Sequence, residues 1–216
     1  MEEIKTYHEN GKLESEGQIN KNNKREGEWK FYKENGSLSG LLNYKNGELH
    51  GTQKTYHDSK LMIERNYKNG ELHGKYKYYF ENGKLESEAN YKNGELHGLS
   101  KEFYSNGKVK IKEQYIEGKR EGQSTRYFPN GKVEMEGEFK TNKREGEWKF
   151  YYNNGQLAFE GKYKNTEREG EWKFYNEEGK LTEKAIYKAG VEVKKEEQSK
   201  GWGARASQKS GLGHGE

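Results

Sequence analysis

Seven glycines, Gly27, Gly51, Gly74, Gly98, Gly122, Gly146 and Gly170, follow one another at spacings of 24, 23, 24, 24, 24 and 24 residues. Self-similarity at such a period marks a repeat architecture, in which each unit is one supersecondary element that buries its apolar side only by stacking on its neighbours. Other residues keep step with the glycines. Five positions after each stands an aromatic (Tyr32, Tyr56, Tyr79, Phe103, Tyr127, Tyr151, Tyr175), then an aliphatic (Leu38, Leu61, Leu85, Val109, Val133, Leu157, Leu181), then a second aromatic (Tyr44, Tyr67, Tyr91, Tyr115, Phe139, Tyr163, Tyr187). The N-terminal stretch with Tyr7, Gly11, Leu13 and Ile19 reads as an eighth, incomplete copy that begins in mid-unit. The one short spacing falls where the turn His57-Asp58-Ser59-Lys60 has lost a residue and its glycine.

Asn-Gly pairs begin at Asn10, Asn35, Asn46, Asn69, Asn82, Asn93, Asn106, Asn130 and Asn154. Both residues accept positive φ, so each pair predicts a type I′ hairpin turn. Two turns per unit, about twelve residues apart, leave room for two short strands and for no helix. In Leu85 to Tyr91 the residues Leu85, Ser87, Ala89 and Tyr91 alternate with Glu86, Glu88 and Asn90. Gly137 and Gly161 occupy the place of Ala89 in later units. A small residue there leaves room for a neighbouring aromatic ring to lie flat, which marks this face as the apolar one and the other as a solvated Glu and Lys face. The expected fold is therefore all-β: an elongated single-layer antiparallel β-meander ribbon of tandem ~24-residue β-hairpin repeats over residues 1–193. At ~4.8 Å per strand it would extend ~75 Å and coil with the usual strand twist.

Composition agrees with a thin structure. The chain is 28% hydrophobic and 35% charged, which excludes a thick core, while 13% aromatics and a single proline argue against disorder. The 40 basic and 36 acidic residues interleave, so no stripe fit for a nucleic-acid partner forms. Without cysteine there is neither a disulfide nor a thiolate metal site. The start MEEIKTYHENG has no apolar h-region, and no 18-residue apolar run follows, so the chain as given is expected to be cytoplasmic, or extracytoplasmic if translation begins upstream. Residues 194–216 carry five glycines without a period and read as a disordered tail holding Trp202.

The segments YKNGELHG (Tyr44 to Gly51, Tyr67 to Gly74, Tyr91 to Gly98), leading into strings such as GEWKFYYNNGQL, resemble the bacterial variant form of the MORN repeat over roughly Met1 to Val193. The resemblance implies β-hairpin ribbons that serve as interaction scaffolds. It also implies, from the many bacterial members labelled antitoxins of the YwqK type, an immunity-like partner for a toxin. The unit is longer than the eukaryotic MORN spacing, so the resemblance does not by itself imply the phosphoinositide-binding role sometimes attached to the name.

The residue patterns add few chemical sites. His50, His73 and His97 share one repeat position, but neighbours one unit apart stand about 9.6 Å from each other, too far to share a metal whose ligands lie within ~2.1 Å of it. They read as turn-packing residues. No catalytic constellation, phosphate loop, metal site or cofactor motif emerges, so the expected activity is non-enzymatic. Lys45, Lys68, Lys92, Lys140, Lys164 and Lys188 form a column that would suit anionic lipid head groups, an alternative in which the ribbon lies on a membrane surface. Beside Glu columns it reads as a solvated face.

The variable aromatics two and four positions after the unit glycine, Trp29, Phe31, Tyr76, Tyr78, Trp148, Phe150, Trp172 and Phe174, are the candidate binding residues. Strict alternation points them away from the fifth-position ring, which recurs in every full unit and is the better core candidate. Exposed, they would make a docking surface for a protein partner, or, in a further alternative, a stacking surface for carbohydrate or cell wall. A bulge near the turn would instead set both groups of rings against one thin core.

Overall fold

A computed structural model describes residues 1–197, and among these every regular element is a strand. Nineteen strands, from β1 (Glu2–Tyr7) to β19 (Val191–Glu197), form one antiparallel sheet. Apart from two interrupted strands, each pairs with the next along the chain. Two apparent extra strands arise because His50 separates β5 (Glu48–Leu49) from β6 (Gly51–His57), and His97 separates β10 (Glu95–Leu96) from β11 (Gly98–Phe103). In both cases the two pieces pair with the same neighbouring strand. The expected meander is thus the observed one. Its last strand runs on to Glu197, four residues into the segment read as a tail; the rest of that segment, with Trp202, lies outside the described residues.

The two turns of a unit differ, which Asn-Gly alone does not reveal. Asn46, Asn69 and Asn93 have positive φ together with the following glycine and make two-residue type I′ turns, such as Lys45 opposite Glu48. At Asn10, Asn35, Asn82, Asn106, Asn130 and Asn154 only the glycine has positive φ. There the loop has three residues. Gly36 N donates to Lys33 O at 2.7 Å and Lys33 N to Ser37 O at 2.9 Å, a type I turn closed by a glycine bulge. The asparagine stays right-handed because its own Oδ1 accepts from the amide two residues on, as in Ser37 N to Asn35 Oδ1 at 2.9 Å. At four of the six its Nδ2 also reaches the next unit: Asn10 to Glu34 O, Asn106 to Pro129 O, Asn130 to Asn153 O and Asn154 to Glu177 O. From Asn106 onward this edge of the ribbon is therefore stitched turn to turn.

The short turn at Asp58-Ser59 replaces a three-residue loop by a two-residue type I′ turn, with φ of 48° and 62° and His57 paired to Lys60. Ser59→Gly relieves a left-handed serine and is expected to stabilise the chain by up to about 1 kcal/mol, read as a higher urea midpoint at unchanged slope.

The unit glycine has a structural cause. Between Glu16↔Lys30 and Gln18↔Glu26 the first strand of a unit carries Gly27, Glu28 and Trp29 opposite the single residue Gly17, and Gly27 has φ of 71°. The same two-residue excess recurs at Glu136↔Lys149 and Glu138↔Glu145 and at Glu160↔Lys173 and Lys162↔Glu169. An even excess preserves parity, so Arg25, Trp29 and Phe31 all emerge on one face.

Candidate functional site

The cross-strand register runs as unbroken rows from one end of the sheet to the other, and the two faces carry different chemistry. One row reads Ser15, Phe31, Gly40, Thr55, Ile63, Tyr78, Ser87, Glu102, Ile111, Arg126, Met135, Phe150, Phe159 and Phe174. The row behind it, on the other face, alternates charge at both ends: Lys5, Glu16, Lys30 and, far along, Glu136, Lys149, Glu160, Lys173. Pairs such as Lys101–Glu88 at 2.7 Å and Lys30–Glu16 at 3.7 Å neutralise it.

The three described tryptophans lie on the first face and are not exposed. Trp29 is 2% exposed, and Trp148 and Trp172 are 0% exposed. The sequence-based expectation that these three rings present a surface is corrected: a bulge sets them into a core built on one side of a single sheet. Trp148 lies on Gly137, where a built Cβ would stand 2.3 Å from its ring. Phe139 and Tyr163 wall it edge-on at 5.2 and 6.0 Å, and the Arg144 guanidinium covers it at 4.7 Å. The indole Nε1 donates to Glu138 O at 3.1 Å. Trp172 repeats the arrangement with Gly161, Tyr163, Tyr187 and Arg168, and Trp29 repeats it with Gly17, Tyr44 and Arg25. In all three nests the arginine also donates to the second aromatic's hydroxyl, at 3.1 to 3.2 Å.

The other candidate rings are half-buried. Phe150 stacks on Phe159 at 4.3 Å and Phe159 on Phe174 at 5.9 Å, beside Met135 and over the Trp148 and Trp172 nests. Phe31 leans on Trp29 at 6.3 Å. Tyr76 tilts against Tyr91 at 5.8 Å, and Tyr78 sits in the row between Ile63 and Ser87. The sequence reading missed Met135 and Phe159, whose place beside Phe150 and Phe174 needs the register, and it missed the arginines.

Each of the six described arginines, Arg25, Arg65, Arg120, Arg126, Arg144 and Arg168, lies on this same face, whereas lysines fill the opposite ladder. A planar guanidinium stacks on aromatic rings where an ammonium would not. Only Arg120 among them meets a carboxylate, Glu113, at 3.5 Å.

The fifth-position rings go the other way. The Tyr32, Tyr151 and Tyr175 hydroxyls donate to Glu16, Glu136 and Glu160 of the charged ladder at 2.8, 2.6 and 3.0 Å, so they support that face and do not form the core. Burial, and then the glutamate, raises all three phenol pKa values, and the Tyr32 bond is the main reason Glu16 is held below the usual carboxylate range.

Midway along the aromatic face lies a polar node. Glu113 and Ser124 are buried, and Glu113 accepts from Tyr115 at 2.9 Å and Ser124 at 3.3 Å. Burial first, and the Glu113 bond second, push Tyr115 up to about 12. A folded value above the unfolded one, near 10, means this stabilisation is complete below pH 10 and is lost as pH rises from about 10 to 12. Tyr115→Phe should flatten the fall of the melting temperature across that interval, measured as a pH series of thermal melts.

His50, His73 and His97 occupy the column held by Glu26, Glu121, Glu145 and Glu169 in other units. Those glutamates accept from the first amide of the next type I′ turn, as Glu26 does from Asn46 N at 2.8 Å. The histidine Nδ1 atoms are enclosed without a hydrogen-bond partner. Among the described residues no group of three His, Cys, Asp or Glu could hold a metal ion. Of the lysine column, Lys45, Lys68, Lys92 and Lys164 each stand directly opposite a glutamate across the turn. No helix among the described residues is long and apolar enough to cross a membrane.

Fold and faces together define a tandem β-hairpin repeat protein whose units share one bulged strand and one plain strand. The MORN repeat variant matches eight successive segments, 3–21, 25–46, 49–69, 72–93, 96–117, 120–141, 144–165 and 168–189, and the chain belongs to that family, whose repeats are generally interaction scaffolds. Among curated proteins none matches. Of solved structures, a porin-like protein from Bacteroides uniformis aligns over 78% of this chain and 86% of its own at 10% identity, with a TM-score of 0.21. A TcdB2-TccC3-Cdc42 structure aligns over 85% of this chain and only 13% of its own at 11% identity, with a TM-score of 0.20. Scores that low carry nothing about function.

Proposed function

We propose that the chain is a non-enzymatic scaffold that docks a protein partner on its aromatic and arginine face, in the manner of an immunity protein that neutralises a toxin. The observation that carries this is the division of the two faces. The ladder face alternates Lys and Glu across neighbouring strands at both ends, while the other collects the half-buried phenylalanines and every described arginine. Aromatic side chains and arginine are the residues that anchor protein interfaces, and lysine and glutamate are depleted there. The carbohydrate reading loses its main support because the rings of Trp29, Trp148 and Trp172 are enclosed. The lipid reading is weakened because most of its lysine column faces glutamate.

Affinity purification of the full chain from its native cells, with partners identified by mass spectrometry, tests the reading. A stoichiometric protein partner supports the scaffold. Growth arrest when that partner is expressed alone, relieved by co-expression of this chain, supports toxin neutralisation. Repeated recovery of no protein partner overturns the proposal.

A further inference from the structure

The scaffold reading leaves open where along the ribbon a partner sits and what chemistry it brings. The nests at the C-terminal half are the ones that stand side by side. Trp148 and Trp172 share Tyr163 as a common wall, and above them Met135, Phe150, Phe159 and Phe174 make a continuous half-buried apolar row. Arg144 and Arg168 border that row, with guanidinium carbons 5.6 Å from the Phe150 ring and 5.9 Å from both the Phe159 and Phe174 rings.

A guanidinium has five donors in a fixed fork. Arg144 and Arg168 each give one to a tyrosine hydroxyl, at 3.2 and 3.1 Å, and neither has a carboxylate partner among the described residues. Their stacking on tryptophan holds them in place before any partner arrives, so little side-chain entropy remains to be lost on binding. They lie two strand steps apart, about 9.6 Å.

We infer that the surface formed by Arg144, Arg168 and the Met135–Phe150–Phe159–Phe174 row docks an acidic protein segment, one that sets carboxylates on the two guanidinium groups and apolar side chains on the phenylalanines. This rests on the scaffold reading. Two fixed cations without anions, beside an apolar row, are complementary to carboxylates alternating with hydrophobic residues. A nucleic-acid backbone fits less well, because Glu102, Glu113 and Glu183 share the face with the arginines and interrupt any long basic stripe.

The test uses the full chain and a fluorescein-labelled (Glu-Leu)5 peptide, read by anisotropy, against (Lys-Leu)5, oligothymidylate and phosphatidylserine vesicles. The acidic peptide should bind best, and added salt should weaken it. Arg144→Gln with Arg168→Gln should weaken it by roughly tenfold or more, whereas Lys149→Gln with Lys173→Gln on the ladder face should leave it unchanged. If the arginine variant fails to fold, footprinting the unaltered chain with phenylglyoxal gives the same answer: the peptide should protect Arg144 and Arg168 but not Arg25. Equal binding of the basic peptide, tighter binding of oligothymidylate or vesicles, unprotected Arg144 and Arg168, or equal loss in the ladder variant would overturn the inference. A native partner that the arginine variant still retains would sink this inference alone and leave the scaffold standing. Failure to recover any partner would sink the scaffold, whatever the peptide does.

Discussion

Trp148→Ala is expected to destabilise the C-terminal half of the ribbon by about 3–5 kcal/mol, the usual loss for emptying a large aromatic site that cannot collapse. The site has little means of collapsing. Its floor is the Gly137 backbone, its walls Phe139 and Tyr163 belong to neighbouring strands, and its lid Arg144 would lose the ring it stacks on. The substitution also leaves Glu138 O without the indole donor. Because each unit touches mainly its neighbours, the damage should be local. Hydrogen exchange read strand by strand should lose protection over Val133–Lys164 and keep it over Glu2–Lys45. A uniform loss along the whole chain would show that the ribbon unfolds as one cooperative body and that the separate nests are not separate stability units.

This picture was partly legible beforehand, and the boundary between what was and was not is physical. The period, the meander and the polarity of the second strand follow from spacing and alternation, because a strand's side chains have a strict period of two. The small residue under a flat ring was also readable at Gly137 and Gly161. The owner of the ring was not. Alternation correctly put the tryptophans and the fifth-position tyrosines on opposite faces, but nothing in it says which face is the core. Recurrence in every unit favoured the tyrosines, and their recurrence is real: in three units the hydroxyl ties the strand to the charged ladder. What decides the matter is the bulge at the unit glycine, which swings the tryptophan over the glycine of the preceding strand. The turn types were hidden for a similar reason, since the same Asn-Gly pair closes a two-residue or a three-residue loop depending on the residues flanking it.

One signal did lie in the chain unread. Gly17, Gly137 and Gly161 are followed eleven or twelve residues later by Trp29, Trp148 and Trp172. Where that column holds Leu42, Arg65, Ala89 or Glu113, the following unit has Gln53, Tyr76, Ser100 or Ser124. The sequence thus contains its own series of matched pairs. In no unit does a side chain larger than hydrogen precede tryptophan.

Gly161→Ala turns this pairing into an expected result. The added Cβ would stand 2.4, 2.5 and 2.6 Å from Cδ2, Cε2 and Cγ of Trp172, well inside contact distance. The ring has little freedom to withdraw, being held by Tyr163, Tyr187, Arg168 and its bond to Lys162 O. Overpacking of this kind costs about 1–3 kcal/mol, and a confined ring puts the expected loss at the upper end. Trp172→Ser alone should cost about as much as emptying the Trp148 site. Together the two changes recreate the natural Ala89 and Ser100 pair, so their joint cost should fall below the sum by about 1–3 kcal/mol, measured by urea unfolding of the four forms. Additive losses would mean that the glycine serves the strand backbone and not the ring above it, and that the nests are held mainly by their arginine lids.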